Sequence, residues 1–211
     1  MRTSRSDGQA TRRRILRVAT SLFASGGYEA TSLRQIATAA DVDLATLKYH
    51  FGDKPSLFAE VYRAGHDDFV AVLAPVLADM FDVQDDAGLD RVIGRLVRSG
   101  HDFAESHLPF VRMVLYRLLE ESSDTILVEE ELQVLARGMI ERAFEGLAAR
   151  GVIKPVDTRA FGTFVVTAMA QWLVTSRLKP SWVGSPALGE ADGRVRSEAF
   201  WCSLLKAALT G

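Results

Sequence analysis

The sequence predicts an all-α chain, and three observations carry that expectation. Apolar residues recur at helical spacing along almost its whole length. No alternating strand-like run occurs, and no internal repeat. Glycine and proline stand at breaks between the periodic stretches. The chain has 211 residues, 48% of them hydrophobic, enough for one domain or two small ones with a sizeable core and too apolar for disorder.

Taken in order, Ile15, Val18, Ala19, Leu22 and Phe23 form the apolar stripe of a first helix, expected over 11–25 with Thr11 as its cap and Gly26-Gly27 as its stop. After a connector, Thr31 or Ser32 caps a short second helix, and Ser32 with Gln35 fits a capping box. Its inward residues are Leu33, Ile36 and Ala37. Asp41 and Val42 form a turn, and Asp43 caps a third short helix that ends at Gly52-Asp53. A long helix starts at Lys54-Pro55 with the stripe Phe58, Val61, Tyr62, Phe69 and Leu73, and Pro75 is expected to kink or end it. Further helices are expected near 88–105, 108–121, 124–150, 157–177 and 192–209, with Gly151 as a stop, Asp157 as a cap and a loop at 179–189.

Composition narrows the function. A single cysteine, Cys202, excludes an internal disulfide and favours a reducing compartment. No apolar run is long enough for a membrane span: the stretch 69–81 contains Asp79, and 161–174 contains Gln171. No uninterrupted apolar segment follows the arginine-rich N-terminus, so a soluble, cytoplasmic protein is expected. The net charge of −2 hides an asymmetry. Residues 1–54 hold nine Lys/Arg against five Asp/Glu, a balance of +4, and the remainder balances at −6. A basic head on an acidic body suits a polyanion partner, although charge alone fits a solvated N-terminal run better.

The two short helices at 32–39 and 43–49, joined by a tight turn, have the layout of a helix-turn-helix. Around them the string Ile15, Ala19, Leu22, Phe23, Gly27, Tyr28, Thr31, Ile36, Ala37, Ala40, Val42, Thr46, Leu47, Tyr49, His50, Phe51, Lys54 and Leu57 resembles the N-terminal domain of the TetR family of transcriptional regulators. The run Thr46-Leu47-Lys48-Tyr49-His50-Phe51-Gly52-Asp53-Lys54 is similar to the family's recognition helix and its exit. The resemblance implies a DNA-binding domain over 1–53 and a helical effector-binding and dimerisation domain over 54–211. It implies DNA contacts from Thr31, Ser32 and Arg34, from the recognition-helix positions Leu44, Ala45, Thr46, Lys48, Tyr49 and His50, and from Lys54 at the start of the long helix. Leu47 and Phe51 are expected in the core. Asp41 and Ala45 stand where the family usually has glycine, and Lys48 where tyrosine is common. A lysine holds a phosphate as a point charge but does not stack, so relatives' operator preference does not transfer.

The helix at 157–177 is apolar all round, with Phe161, Phe164, Val165, Met169 and Trp172. One side is expected to face the chain's own core and the other a partner, the alternative being a helix buried wholly within the chain's own core. With Phe200, Trp201 and Leu204 of the last helix it forms a candidate homodimer interface, which is also where the family dimerises. The resemblance also implies an effector pocket, with Phe69, Leu73, Phe103, His107, Phe110, Met113, Tyr116 and Arg117 as candidate lining for a small apolar or aromatic ligand. Taken one at a time, each of these residues reads better as ordinary bundle core than as pocket lining.

No serine elbow, phosphate loop, dinucleotide glycine pattern or paired-carboxylate site occurs, so no enzyme and no cofactor are expected. His66, His101 and His107 lie on different expected helices, no metal ligand set stands out, and Cys202 among Phe200, Trp201 and Leu204 reads as a buried thiol. The acidic run Glu129-Glu130-Glu131 reads as favourable charge at a helix start. The expected function is therefore a ligand-responsive repressor, dimeric on a palindromic operator. The alternative is a helical scaffold whose head no longer binds DNA.

Overall fold

The computed structural model describes residues 3–117, 126–175 and 192–211. The expected loop at 179–189 and the helix ends placed at 118–121 and 176–177 lie outside the described residues. Among those described the chain is all-α. The helices are α1 (Thr3–Gly26), α2 (Leu33–Ala39), α3 (Leu44–Phe51), α4 (Lys54–Asp79), α5 (Asp86–Ser106), α6 (Leu108–Arg117), α7 (Ile126–Ala149), α8 (Thr158–Thr175) and α9 (Gly193–Thr210), with a short 3-10 turn at Met80–Asp82. No described helix is long and apolar enough to cross a membrane.

Two boundaries differ from expectation. Thr11 is not a cap: α1 begins at Thr3 and runs through Gly8, because no proline stands among the preceding residues and Gln9 and Ala10 favour a helix. Of the two outcomes expected at Pro75, a kink or an end, the end does not occur: α4 continues to Asp79. The ring leaves the Ala71 carbonyl without its usual donor and costs about 3 kcal/mol. Burial of Val76, Leu77 and Met80 immediately beyond it offsets that penalty.

Contacts within the chain form two compact units, residues 1–67 with 109–132 and residues 68–108 with 133–211. This grouping does not follow the 53/54 division. In the first unit Leu57, Phe58, Val61 and Tyr62 of α4 fill the same core as Ile15, Ala19 and Phe23 of α1, Ile36 of α2 and Leu47 of α3. Phe23, Tyr28 and Phe58 form a ring cluster with centroids 5.1 to 5.9 Å apart. Helix α6 belongs here because Phe110 lies directly on Gly65, where a Cβ would stand 2.2 Å from the ring. Its ring also meets Tyr62 edge-on at 5.8 Å.

The second unit is built on the ends of α4, α5, α7, α8 and α9 around Leu77, Met80, Val97, Phe144, Leu147, Trp201 and Leu205. Helix α7 ends in a Schellman turn: Gly151, at φ +71°, donates to Ala148 O and Val152 donates to Leu147 O. Asp157 caps α8 by accepting from Ala160 N at 2.9 Å.

Candidate nucleic-acid interface

Local chemistry holds the two short helices. Ser32 Oγ accepts from Gln35 N at 3.3 Å while Gln35 Oε1 accepts from Ser32 N at 2.8 Å, a complete capping box. Helix α2 closes in a Schellman turn, with Asp41 N donating to Thr38 O and Val42 N to Ala37 O. The left-handed position of that turn is Asp41, at φ 51°, which an aspartate tolerates better than most residues. Arg14 donates to the Asp41 carbonyl at 3.3 Å and ties the turn to α1.

Helix α3 starts on Asp43, whose Oδ1 accepts from Thr46 N at 2.6 Å. That backbone bond, then the Thr46 hydroxyl, holds the Asp43 carboxyl below its usual value. Leu47 and Phe51 face the core, as expected. Ala45, Lys48 and Tyr49 face outward, Tyr49 at 86% exposure, with Leu44, Thr46 and His50 half-buried beside them. Tyr49 and His50 meet edge-on at 5.4 Å. Ser32 and Arg34 are exposed at the start of α2. Thus α3 and the first turn of α2 present an outer surface of alcohols, cations and small apolar groups while their other sides are sealed.

Two residues are placed differently from the phosphate-contact expectation. Thr31 is 5% exposed and its hydroxyl donates to Gly27 O at 2.7 Å, so it pins the α1–α2 connector. Lys54 is half-buried: Nζ lies 4.2 Å from the Tyr28 ring centroid and donates to Glu29 O at 3.3 Å. Sequence reasoning also missed Asp53 as a cap. Its Oδ1 accepts from Ser56 N at 2.9 Å and starts α4, and hydrogen bonding to the Ser56 side chain, then to its backbone N–H, holds the Asp53 carboxyl below its usual value. The signal was present as an Asp followed by Pro and Ser at capping distance, but Gly52-Asp53 reads first as a break.

The candidate effector residues divide between the two units. Phe69 and Phe103 meet edge-on at 5.3 Å, Phe103 stacks on His107 at 4.5 Å, and His107 Nε2 lies 3.3 Å from Asp68. In the other unit Phe110 and Met113 are buried, Tyr116 is exposed, and Arg117 reaches back to the head. The Arg117 guanidinium donates to Glu129 at 2.7 and 3.2 Å and lies 5.8 Å from both the Tyr28 and Phe58 ring centroids. Glu129 stands in the first turn of α7, so its charge meets a specific partner as well as a helix start. Leu73 alone of the candidates lines an apolar cavity of about 40 Å³ in the second unit, with Ile93, Ile140, Phe144 and Phe161 among its walls. His66 is buried with neither ring nitrogen in hydrogen-bonding geometry, and burial pushes its pKa down. Among the described residues no three His, Cys, Asp or Glu stand together as metal ligands.

Of the candidate dimer residues, Val165, Met169 and Trp201 are buried and Phe161 and Trp172 are half-buried. Phe164, Phe200 and Leu204 are exposed, Phe164 at 56% and Phe200 at 50%. Val166 and Val195 add to this open apolar surface on α8 and α9.

Residues 15–61 match the model of the bacterial regulatory proteins of the tetR family. The HTH-type transcriptional regulator AcrR of Shigella flexneri is 43% identical over 62 residues, 29% of either chain. The chain thus aligns with less than a third of that relative's length. The HTH-type transcriptional repressor SCO4008 of Streptomyces coelicolor is 27% identical over 188 residues, 89% of this chain and 90% of the other. The crystal structure of AibR in complex with isovaleryl coenzyme A and operator DNA shares the fold, with a TM-score of 0.64 over 94% of this chain and 97% of that one at 22% identity. The three-helix head, residues 15–61, is thus similar to the N-terminal domain of the tetR family of bacterial regulatory proteins.

Proposed function

We propose that this chain is a ligand-responsive transcriptional regulator: a cytoplasmic homodimer that represses by binding a pseudo-palindromic operator and leaves it when a small apolar or aromatic molecule binds its helical body. The observation that carries the reading is the capped α3, with Lys48 and Tyr49 exposed, Thr46 and His50 beside them, and its inner residues Leu47 and Phe51 sealed in the head core. A helix so presented fits a major groove, with Thr46 and Lys48 to meet phosphates and base edges. Ser32, Arg34 and the exposed Arg13 and Arg17 supply phosphate contacts around it. Thr31 and Lys54 contribute by holding the connector and the α4 start in place, from where Lys54 can still turn to a phosphate.

Two-fold assembly through the open face of α8 and α9 presents two such helices to one side of the duplex, about one helical turn apart. AibR, solved with operator DNA and a coenzyme A ester, is a protein of this fold that takes both kinds of ligand. The test is selection of bound duplexes from a random pool, then titration of the recovered site over a range of salt. A pseudo-palindrome bound with steep salt dependence is expected. Affinity indifferent to salt, or no preference over scrambled DNA, would falsify the reading. In the same assay Trp172→Arg is expected to yield monomer or aggregate without operator binding, because it places a charge in an apolar interface.

A further inference from the structure

The DNA-binding reading makes no use of His66. Among the described residues it is one of two that hold a buried side-chain nitrogen without a hydrogen-bond partner, and the other, Trp201, lies in the second unit. His66 stands on α4 in the first unit and is 6% exposed. Both of its ring nitrogens are closed to water and neither is bonded. The stretch of α4 around it packs against apolar and aromatic groups of the same unit. One turn earlier on the same side of the helix lies Tyr62, whose ring meets Phe110 of α6. The adjacent Gly65 lets the Phe110 ring lie directly on the α4 backbone. Phe110 and Met113, two of the candidate effector residues, are both buried on α6.

What the ring lacks follows from what an imidazole offers. Burial disfavours the charged ring and pushes its pKa down, against the opposing pull of Asp67 and of the Leu132 backbone on α7. The ring is therefore neutral near neutral pH, with one N–H and one lone pair. The Leu132 backbone favours a hydrogen on the ring, and only its carbonyl can do so, so the nitrogen on that side carries the N–H. The contact falls short of hydrogen-bond geometry but decides which nitrogen is the donor. The other nitrogen keeps a lone pair with nothing to receive, so the group that completes it is a donor. An ammonium would carry a net charge into apolar surroundings, at a cost far above one hydrogen bond. A carbonyl or an ether brings only acceptors and leaves the lone pair unmet. A hydroxyl donates without charge, and an apolar remainder suits the rings of Tyr62 and Phe110.

We infer that His66 is the polar anchor of a ligand site in the first unit, and that the ligand is an uncharged hydroxyl compound, an alcohol or a phenol, which donates to the open ring nitrogen. That this ligand is the effector rests on the proposed regulator. In the free protein the buried lone pair is an unmet cost, and the bound hydroxyl removes it. Selectivity follows from the same asymmetry. A compound of equal size without the hydroxyl leaves the acceptor unmet, so it loses the bond while gaining the same apolar contacts. The apolar lining sets the size of the ligand, and His66 sets its chemistry.

The test titrates the full-length protein with two probe pairs of matched size, cyclohexanol against cyclohexanone and phenol against toluene. Binding is followed in ¹⁵N spectra of the histidine rings, with His66 assigned through His66→Leu and His66→Gln. In the unmodified protein cyclohexanol and phenol are expected to bind about fivefold or more tighter than their partners, the effect of one buried hydrogen bond. Both are expected to shift the resonance of the open His66 nitrogen. The preference is expected to vanish in His66→Leu and to survive in part in His66→Gln, which keeps an acceptor. If neither variant folds, the unmodified protein decides alone: an open nitrogen that moves with cyclohexanol and not with cyclohexanone supports the site. Cyclohexanone bound as tightly as cyclohexanol, or a His66 resonance that no probe moves, overturns it. So does an open nitrogen that already resonates as a hydrogen-bonded one before any probe is added, because a buried water or another group then meets it. The expected preference in a protein that selects no duplex from the random pool supports the site and refutes the regulator.

Discussion

Replacing Arg117 with methionine removes a guanidinium that two elements of the first unit share. Its side chain is 6% exposed and that of Glu129 is 13% exposed, so both ends of the fork at 2.7 and 3.2 Å lie largely out of water. The loss of one partner from a buried pair leaves the other charge uncompensated, which costs about 3–5 kcal/mol. The guanidinium also lies over Tyr28 and Phe58 at 5.8 Å, near the outer limit for such contacts, and adds about 0.5–1 kcal/mol. Against a typical domain stability of about 5–15 kcal/mol this is a large fraction. Glu129→Leu added to Arg117→Met removes the stranded carboxylate and is expected to recover most of the loss, because apolar replacement of both partners is often neutral. The assay is urea denaturation followed by circular dichroism, with hydrogen exchange of α1 and α4 peptides to place the loss in this unit. The reasoning fails if Arg117→Met costs less than about 1 kcal/mol, or if the double variant is no more stable than the single one.

Lys48→Ala is expected to weaken operator and random DNA alike and to reduce the salt slope by about one unit, whereas Thr46→Ala leaves the slope nearly unchanged and costs about 1–3 kcal/mol on the operator alone; parallel titrations at several salt concentrations separate the two. Gly65→Ala drives a Cβ into the Phe110 ring and is expected to destabilise by about 1–3 kcal/mol, measured by thermal unfolding, and Phe110→Leu in the same chain is expected to relieve it. Asp43 titrates below its usual value because its ionised form accepts from Thr46. Its cap is therefore complete at neutral pH and lost only as pH falls through that lowered value, so Asp43→Asn is expected to keep operator affinity at pH 7 and Asp43→Ala to reduce it.

What was legible in the sequence is what local chemistry decides. The Ser32–Gln35 box, the Asp43 cap, the turn at Asp41 and the stop at Gly151 each involve residues within a few positions of one another, and the sequence names both partners. The apolar stripes located the helices for the same reason, since spacing along one element fixes which side is buried. Spacing placed Lys48 on the outer face of α3, whereas the inward positions Leu47 and Phe51 and the outward Tyr49 came from the resemblance. Where a helix ends against a remote neighbour, the local signals were overruled. Pro75 sits inside α4 because the residues after it are buried in the second unit, and Thr11 marks no boundary because the residues before it are free to be helical.

The tertiary structure alone decided which polar groups turn inward and whom they meet. Thr31 and Lys54 read as DNA contacts by position, yet one donates to Gly27 and the other lies on Tyr28, and no spacing rule announces a bond to a ring cluster. Arg117 meets Glu129 across an intervening stretch of chain, and His101 meets Ser197 across 96 residues. Such bonds form because burial removes water as an alternative partner, and burial belongs to the assembled core. The sequence by itself thus determined the helices, the caps and the polar face of α3. The packed chain determined which of its charges remain at that surface and which are spent holding it in shape.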